Sequence, residues 1–138
     1  CRFGDPETQV ILPLLDTPLE ELILACVQQR LGEMPPIAWK QGAAATVVAA
    51  SGGYPGAYEK GKVITGIPEA EAAGVTVFHA GTKLNQQQQI ATDGGRVLNV
   101  TAIGKDFPQA IAQAYTGIKS LEFEGIYYRK DIGHRVLK

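Results

Sequence analysis

The sequence has little that would recruit a partner by bulk charge: 13 lysines and arginines stand against 14 aspartates and glutamates, for a formal net charge of −1. So weak a field gathers neither nucleic acid nor an anionic membrane, and any polyanion has to be met locally. No apolar run approaches the roughly eighteen residues that a membrane span requires, and the amino end lacks the charged-then-apolar plan of a secretory signal. These absences predict a soluble, cytoplasmic protein with neither nucleic acid nor membrane as partner. Cysteine is scarce as well. Cys1 and Cys26 are the only two, which suits neither a disulfide framework nor a metal-ligand spacing. Both read as reduced, with packing or incidental roles, Cys26 on an apolar helical face. Also missing are a Walker-type loop, a dinucleotide fingerprint, a zinc spacing and a Ser-His-Asp set.

What is present is a hydrophobic fraction of 45% over 138 residues, enough for one sizeable core. The sequence predicts a helix over 17–31. Thr17 supplies a capping hydroxyl, Pro18 fits the first helical position, and Glu20 can reach back to the cap amide. Leu19, Leu22, Ile23, Cys26, Val27 and Leu31 repeat at helical spacing as one buried face, and Gly32 suits a left-handed end. Met34-Pro35-Pro36 forbids continuation, so 32–38 reads as a linker.

Beyond it come short β-branched runs separated by glycine: 45–48, 63–65, 75–78, 89–92 and 96–101. They read as strands of a largely antiparallel sheet. A second helix follows, capped by Asp106 with Gln109 at its third position, its stripe formed by Ala110, Ile111, Ala114, Tyr115, Ile118 and Leu121. Residues 123–136 read as a strand or two with a turn at 130–133, placing Tyr127 and Tyr128 on opposite faces. Gln86–Gln89 reads as a hairpin tip. The fold class is α+β, a mostly antiparallel sheet with flanking helices. The chain divides into residues 1–38 and a carboxy-terminal α+β domain over 39–138.

Three glycine-bearing loops could carry chemistry. Ala50-Ser51-Gly52-Gly53-Tyr54-Pro55-Gly56 offers a close backbone approach to a small ligand, or simply a wide strand connection. His79-Ala80-Gly81-Thr82-Lys83 brings an imidazole, a hydroxyl and an ammonium together, a set that can hold a phosphate or sugar, while His79 alone suits a structural role equally well. In Asp93-Gly94-Gly95-Arg96 the amides of Gly94 and Gly95 can converge on an anion beside a guanidinium, and the plainer alternative is a turn with a surface arginine.

Taken in order, Arg2-Phe3-Gly4-Asp5-Pro6-Glu7-Thr8-Gln9, Gly52-Gly53-Tyr54-Pro55-Gly56, Val77-Phe78-His79-Ala80-Gly81-Thr82, Gly94-Gly95-Arg96-Val97-Leu98 and Tyr128-Arg129-Lys130-Asp131-Ile132-Gly133 resemble the glycinamide ribonucleotide synthetase (phosphoribosylamine–glycine ligase) family. The resemblance spans nearly the whole chain but only the carboxy-terminal part of those longer ATP-grasp ligases, with 1–38 as the last segment of the nucleotide clamp. It implies ATP with magnesium or manganese as cofactors, and glycine and 5-phosphoribosylamine as substrates. It also implies amino-terminal and ATP-grasp domains as partners, with none of the cofactors bound to this segment alone and no activity from it alone. In the family a Glu and an Asn hold the metal. Their equivalents fall upstream of Cys1, so the resemblance implies a fragment that retains the arginine without the metal ligands.

By the same resemblance Arg2 is the catalytic residue, stabilising charge on a transferred phosphoryl group. Asp5 and Glu7 hold the glycine ammonium, orient Arg2, or merely build a turn. Arg96, with Gly94 and Gly95, is the expected seat of the ribose 5-phosphate. Related enzymes carry a lysine where Val97 stands, so Thr82 or Lys83 is the expected replacement for that second contact, with His79 nearby. The competing expectation is a non-catalytic module that binds a small ligand or braces a neighbouring domain.

Overall fold

The computed structural model describes residues 2–137; Cys1 and its assigned role lie outside them. Ten elements follow in order. Helices α1 (Thr8–Leu14) and α2 (Leu19–Val27) and a single 3-10 turn (Leu31–Glu33) precede strand β1 (Ala43–Ala50). Then come α3 (Ile67–Ala72), β2 (Thr76–His79), β3 (Thr82–Leu84), β4 (Ile90–Thr92), β5 (Arg96–Gly104) and α4 (Phe107–Ile118). The strands form an antiparallel sheet in the order β1-β5-β2 and a separate hairpin of β3 with β4. This is the expected α+β class.

Register explains the core. Ala45 opposes Ala102, Val47 opposes Val100, and Ala49 opposes Leu98. Their side chains share one face, because successive strand residues alternate sides. All six are buried, and α4 packs on them through Ala110, Ile111, Ala114 and Ile118. The alanines of β1 let the helix come close. The fit is tight at Gly104, where a Cβ would stand 2.5 Å from the Ala110 amide nitrogen, and at Gly117, where one would stand 2.6 Å from a methyl of Val75. The opposite face carries Thr46, Val48, Asn99 and Thr101, with Thr101 Oγ1 bonded to Thr46 Oγ1 at 2.9 Å. Helix α1 packs against β1 and β5, so the amino-terminal segment lies on the three-stranded sheet. Leu15 bridges Trp39 across the expected boundary.

Several expectations are corrected. Helix α2 ends at Val27, and Thr17 does not cap it: its Oγ1 accepts from the Ala38 amide at 2.8 Å. Gln29 (φ 57), and not Gly32, supplies the left-handed end. The amides of Gln29 and Arg30 then reach back to the carbonyls of Cys26 and Ala25, the paired closure of a Schellman motif. The apolar face of α2 is not buried. Ile23, Leu24 and Val27 are 51%, 54% and 75% exposed, and Cys26 is exposed with them. The run 63–65 supplies only isolated bridges, from Val63 to Ala91 and from Thr65 to Glu122, and 123–136 only one, from Tyr127 to Ala50. Tyr127 is exposed while Tyr128 packs on the core, so the two do point apart. Two helices and a strand arise where none was expected: α1, α3 and β3.

Candidate functional site

The turn Gly4–Glu7 feeds α1, with the Thr8 amide donating to the Gly4 carbonyl at 3.0 Å. Because α1 rests on the sheet, this turn is carried to the start of β5. There Arg2, Asp5, Glu7 and Arg96 line one cavity of about 620 Å³, completed by Phe3, Gly4 and Ile11. Arg96 and Asp5 lie far apart in sequence and bond twice: Nη1 donates to the Asp5 carbonyl at 2.9 Å, and Nη2 donates to its Oδ2 at 3.0 Å. Both side chains remain partly open to water, at 40% and 47%. Arg2 lines the same cavity and makes no hydrogen bond or ion pair with another described residue. Two guanidinium groups with two carboxylates can seat an anion and an ammonium side by side.

The other residues singled out by sequence lie elsewhere. Lys83, on the short β3, donates from Nζ to Asp93 Oδ1 at 3.1 Å, and Lys60 stands 3.6 Å from the same oxygen. The hydrogen bond from Lys83 holds the Asp93 carboxyl below its ordinary value, burial opposes this, and the charge of Lys60 helps. His79 Nδ1 and Thr82 Oγ1 are 3.0 Å apart and pair with each other. None of the three lines the cavity of Arg2 and Arg96. Thus Lys83 does not stand beside Arg96 as a second basic contact. Its partner is the aspartate that opens the glycine turn.

Gly94 and Gly95 are required for packing. Their carbonyls accept from the hydroxyl and the amide of Ser51, both at 2.8 Å. A Cβ on Gly95 would sit 2.1 Å from the Tyr54 ring, and one on Gly94 would sit 2.9 Å from the Gly81 Cα. Their amides have no acceptor among the described residues. In the preceding loop, Gly52 abuts the Gly125 carbonyl and Gly53 adopts φ +95.

Sequence reasoning missed a second hollow of about 410 Å³. It is walled by Val48, Ala50, Tyr54, Pro55, Tyr127 and Tyr128, with Arg96 and Arg129 at its edges. Arg129 is gripped through Nε and Nη2 by both carboxylate oxygens of Asp131, at 2.9 and 2.7 Å. These bonds and the carboxylate charge push the guanidinium pKa up and the carboxyl pKa down. The available signal was the Tyr-Tyr-Arg run, whose alternation turns Tyr127 outward beside the Tyr54 loop.

The family model described as "Phosphoribosylglycinamide synthetase, C domain" matches residues 44–135. The chain belongs to that family. It is 83% identical over 136 residues to the phosphoribosylamine–glycine ligase of Nostoc sp. (strain PCC 7120), covering 99% of this chain and 32% of that protein. It is 50% identical over 137 residues to the human trifunctional purine biosynthetic protein adenosine-3, of which it covers 14%. Among solved structures, the phosphoribosylamine–glycine ligase of Thermotoga maritima superposes with a TM-score of 0.81 at 38% identity, over 96% of this chain and 32% of that one. The chain therefore spans about a third of the length of the ligases it matches. Membership of the C-domain family bears out the resemblance carried by the ordered motifs. The shared fold likewise bears out the α+β class. No helix among the described residues is long and apolar enough to cross a membrane.

Proposed function

We propose that this chain is the carboxy-terminal part of a ligase that joins glycine to 5-phosphoribosylamine in purine synthesis, with ATP hydrolysed to ADP. The observation that carries this reading is the convergence of Arg2 and Arg96 on one cavity. The names of the relatives supply the substrates.

On this reading, phosphoryl transfer from ATP to glycine's carboxylate gives an acyl phosphate, which the sugar's amine then attacks. Charge spreads over the phosphoryl oxygens during transfer, and the Arg2 guanidinium stabilises it without moving a proton. Arg96 seats the 5-phosphate of the sugar through charge-assisted hydrogen bonds. Glu7, which lines the same cavity, meets the glycine ammonium. The resemblance places the metal-holding Glu and Asn upstream of Cys1, so magnesium is not assigned to these residues. Metal and nucleotide are left to the amino-terminal and ATP-grasp parts, and the segment alone turns over no substrate.

The test is Arg2→Ala in the full-length ligase carrying this segment. A contact made mainly in the transition state predicts a kcat lowered by about a hundredfold or more with little change in KM for glycine. A change confined to KM would remove Arg2 from catalysis.

A further inference from the structure

Arg96 is held at two of its nitrogens by one residue. Nη1 donates to the main-chain carbonyl of Asp5 and Nη2 to its carboxylate. A guanidinium carries five N–H donors in a rigid plane, so this grip leaves Nε–H and one hydrogen on each Nη unspent. It also differs from an ordinary exposed ion pair, in which two flexible side chains pursue each other at little net gain. One acceptor here is backbone, fixed by the turn that leads into α1, which is itself packed on the sheet. The plane of the guanidinium is thereby set jointly by the fold, through the Asp5 carbonyl, and by the Asp5 carboxylate.

We propose that Asp5 is a positioning residue: it orients the Arg96 guanidinium so that the remaining donors present themselves to the sugar phosphate. This rests on Arg96 being the phosphate anchor. The arrangement has a second effect. Arg2 lies three residues before Asp5 and lines the same cavity, so the clamp also ties the phosphate seat to the segment that carries the arginine meeting the transferred phosphoryl group.

Charge and orientation predict opposite signs. The Asp5 carboxylate repels a phosphate brought to Arg96, so charge alone would make Asp5→Asn bind the sugar phosphate more tightly. Orientation makes the same change weaken binding. In the full-length ligase carrying this segment, KM for 5-phosphoribosylamine and kcat are measured for the parent, Asp5→Asn, Arg96→Gln and the double variant. Asp5→Asn is expected to raise that KM about threefold, because the amide oxygen that replaces the carboxylate holds Nη2 less tightly, with KM for ATP unchanged. Added to Arg96→Gln, it is expected to do nothing further, because Asp5 acts through Arg96.

Asp5→Glu guards against a trivial effect of charge removal. It keeps the charge but displaces the carboxylate, and is also expected to raise the KM. An unchanged or lowered KM for Asp5→Asn, or independent effects in the double variant, overturns the inference. If Arg96→Gln itself leaves that KM unchanged, the anchor reading fails and takes this one with it. If Arg96→Gln raises it and Asp5→Asn does not, only the positioning role falls.

Discussion

Asn99 sits at the centre of β5 with none of its surface exposed, opposite Val48 on one side and Phe78 on the other. Neither its Oδ1 nor its Nδ2 has a hydrogen-bond partner among the described residues. A buried amide without partners costs about 1–3 kcal/mol, and a β-branched apolar residue suits a sheet position flanked by valine and phenylalanine. Asn99→Val is therefore expected to raise the unfolding free energy by about 1 kcal/mol, the gain being trimmed by the added bulk. Urea denaturation checks this, and a clear loss of stability would show that the amide makes bonds in solution. The sequence carried no hint of this residue, because an isolated asparagine in an apolar strand says nothing about which neighbours surround it. Arg2 and Arg96 were legible from their motifs, and the cavity joins them. The partner of Lys83 was not, since the pairing of β3 with β4 that brings Asp93 near it depends on a strand the local sequence does not announce.

The local instructions at the start of α4 were read correctly, though the helix ends at Ile118, short of Leu121. At α4, Asp106 Oδ1 accepts from the Gln109 amide at 2.9 Å, and Gln109 Oε1 returns to accept from the Lys105 amide at 2.7 Å. Asp106→Ala is expected to cost about 1 kcal/mol of stability, visible as a lowered thermal midpoint with the sheet intact by circular dichroism. Elements decided by distant partners were misread. Thr17 carries every local mark of a cap, yet its hydroxyl is taken by Ala38 from the linker. Residues 63–65 are β-branched enough for a strand but meet only single pairing positions. Helix α3, with Gly66 at φ +85 before it, is too short for any periodicity to show.

At the scale of the molecule, α2 carries its apolar side chains outward, and the chain is about a third of the length of its related ligases. Exposed apolar surface of this kind associates. The isolated chain is expected to show a sedimentation coefficient that rises with concentration, and the pair Ile23→Glu and Val27→Glu to abolish that rise without changing the thermal midpoint. Persistence of the rise would place the sticky surface elsewhere. The pairing of β1 with β5 has a further consequence, for the order of events during synthesis. Ala43–Ala50 leaves the ribosome with its strand partner still unmade, since Arg96–Gly104 follows about a third of the chain later. Closing so long a loop precedes any reward from the contacts it allows, which slows assembly. The turn Gly4–Glu7 is made about ninety residues before Arg96, so this part of its mooring has to wait until translation has delivered the arginine that catches it.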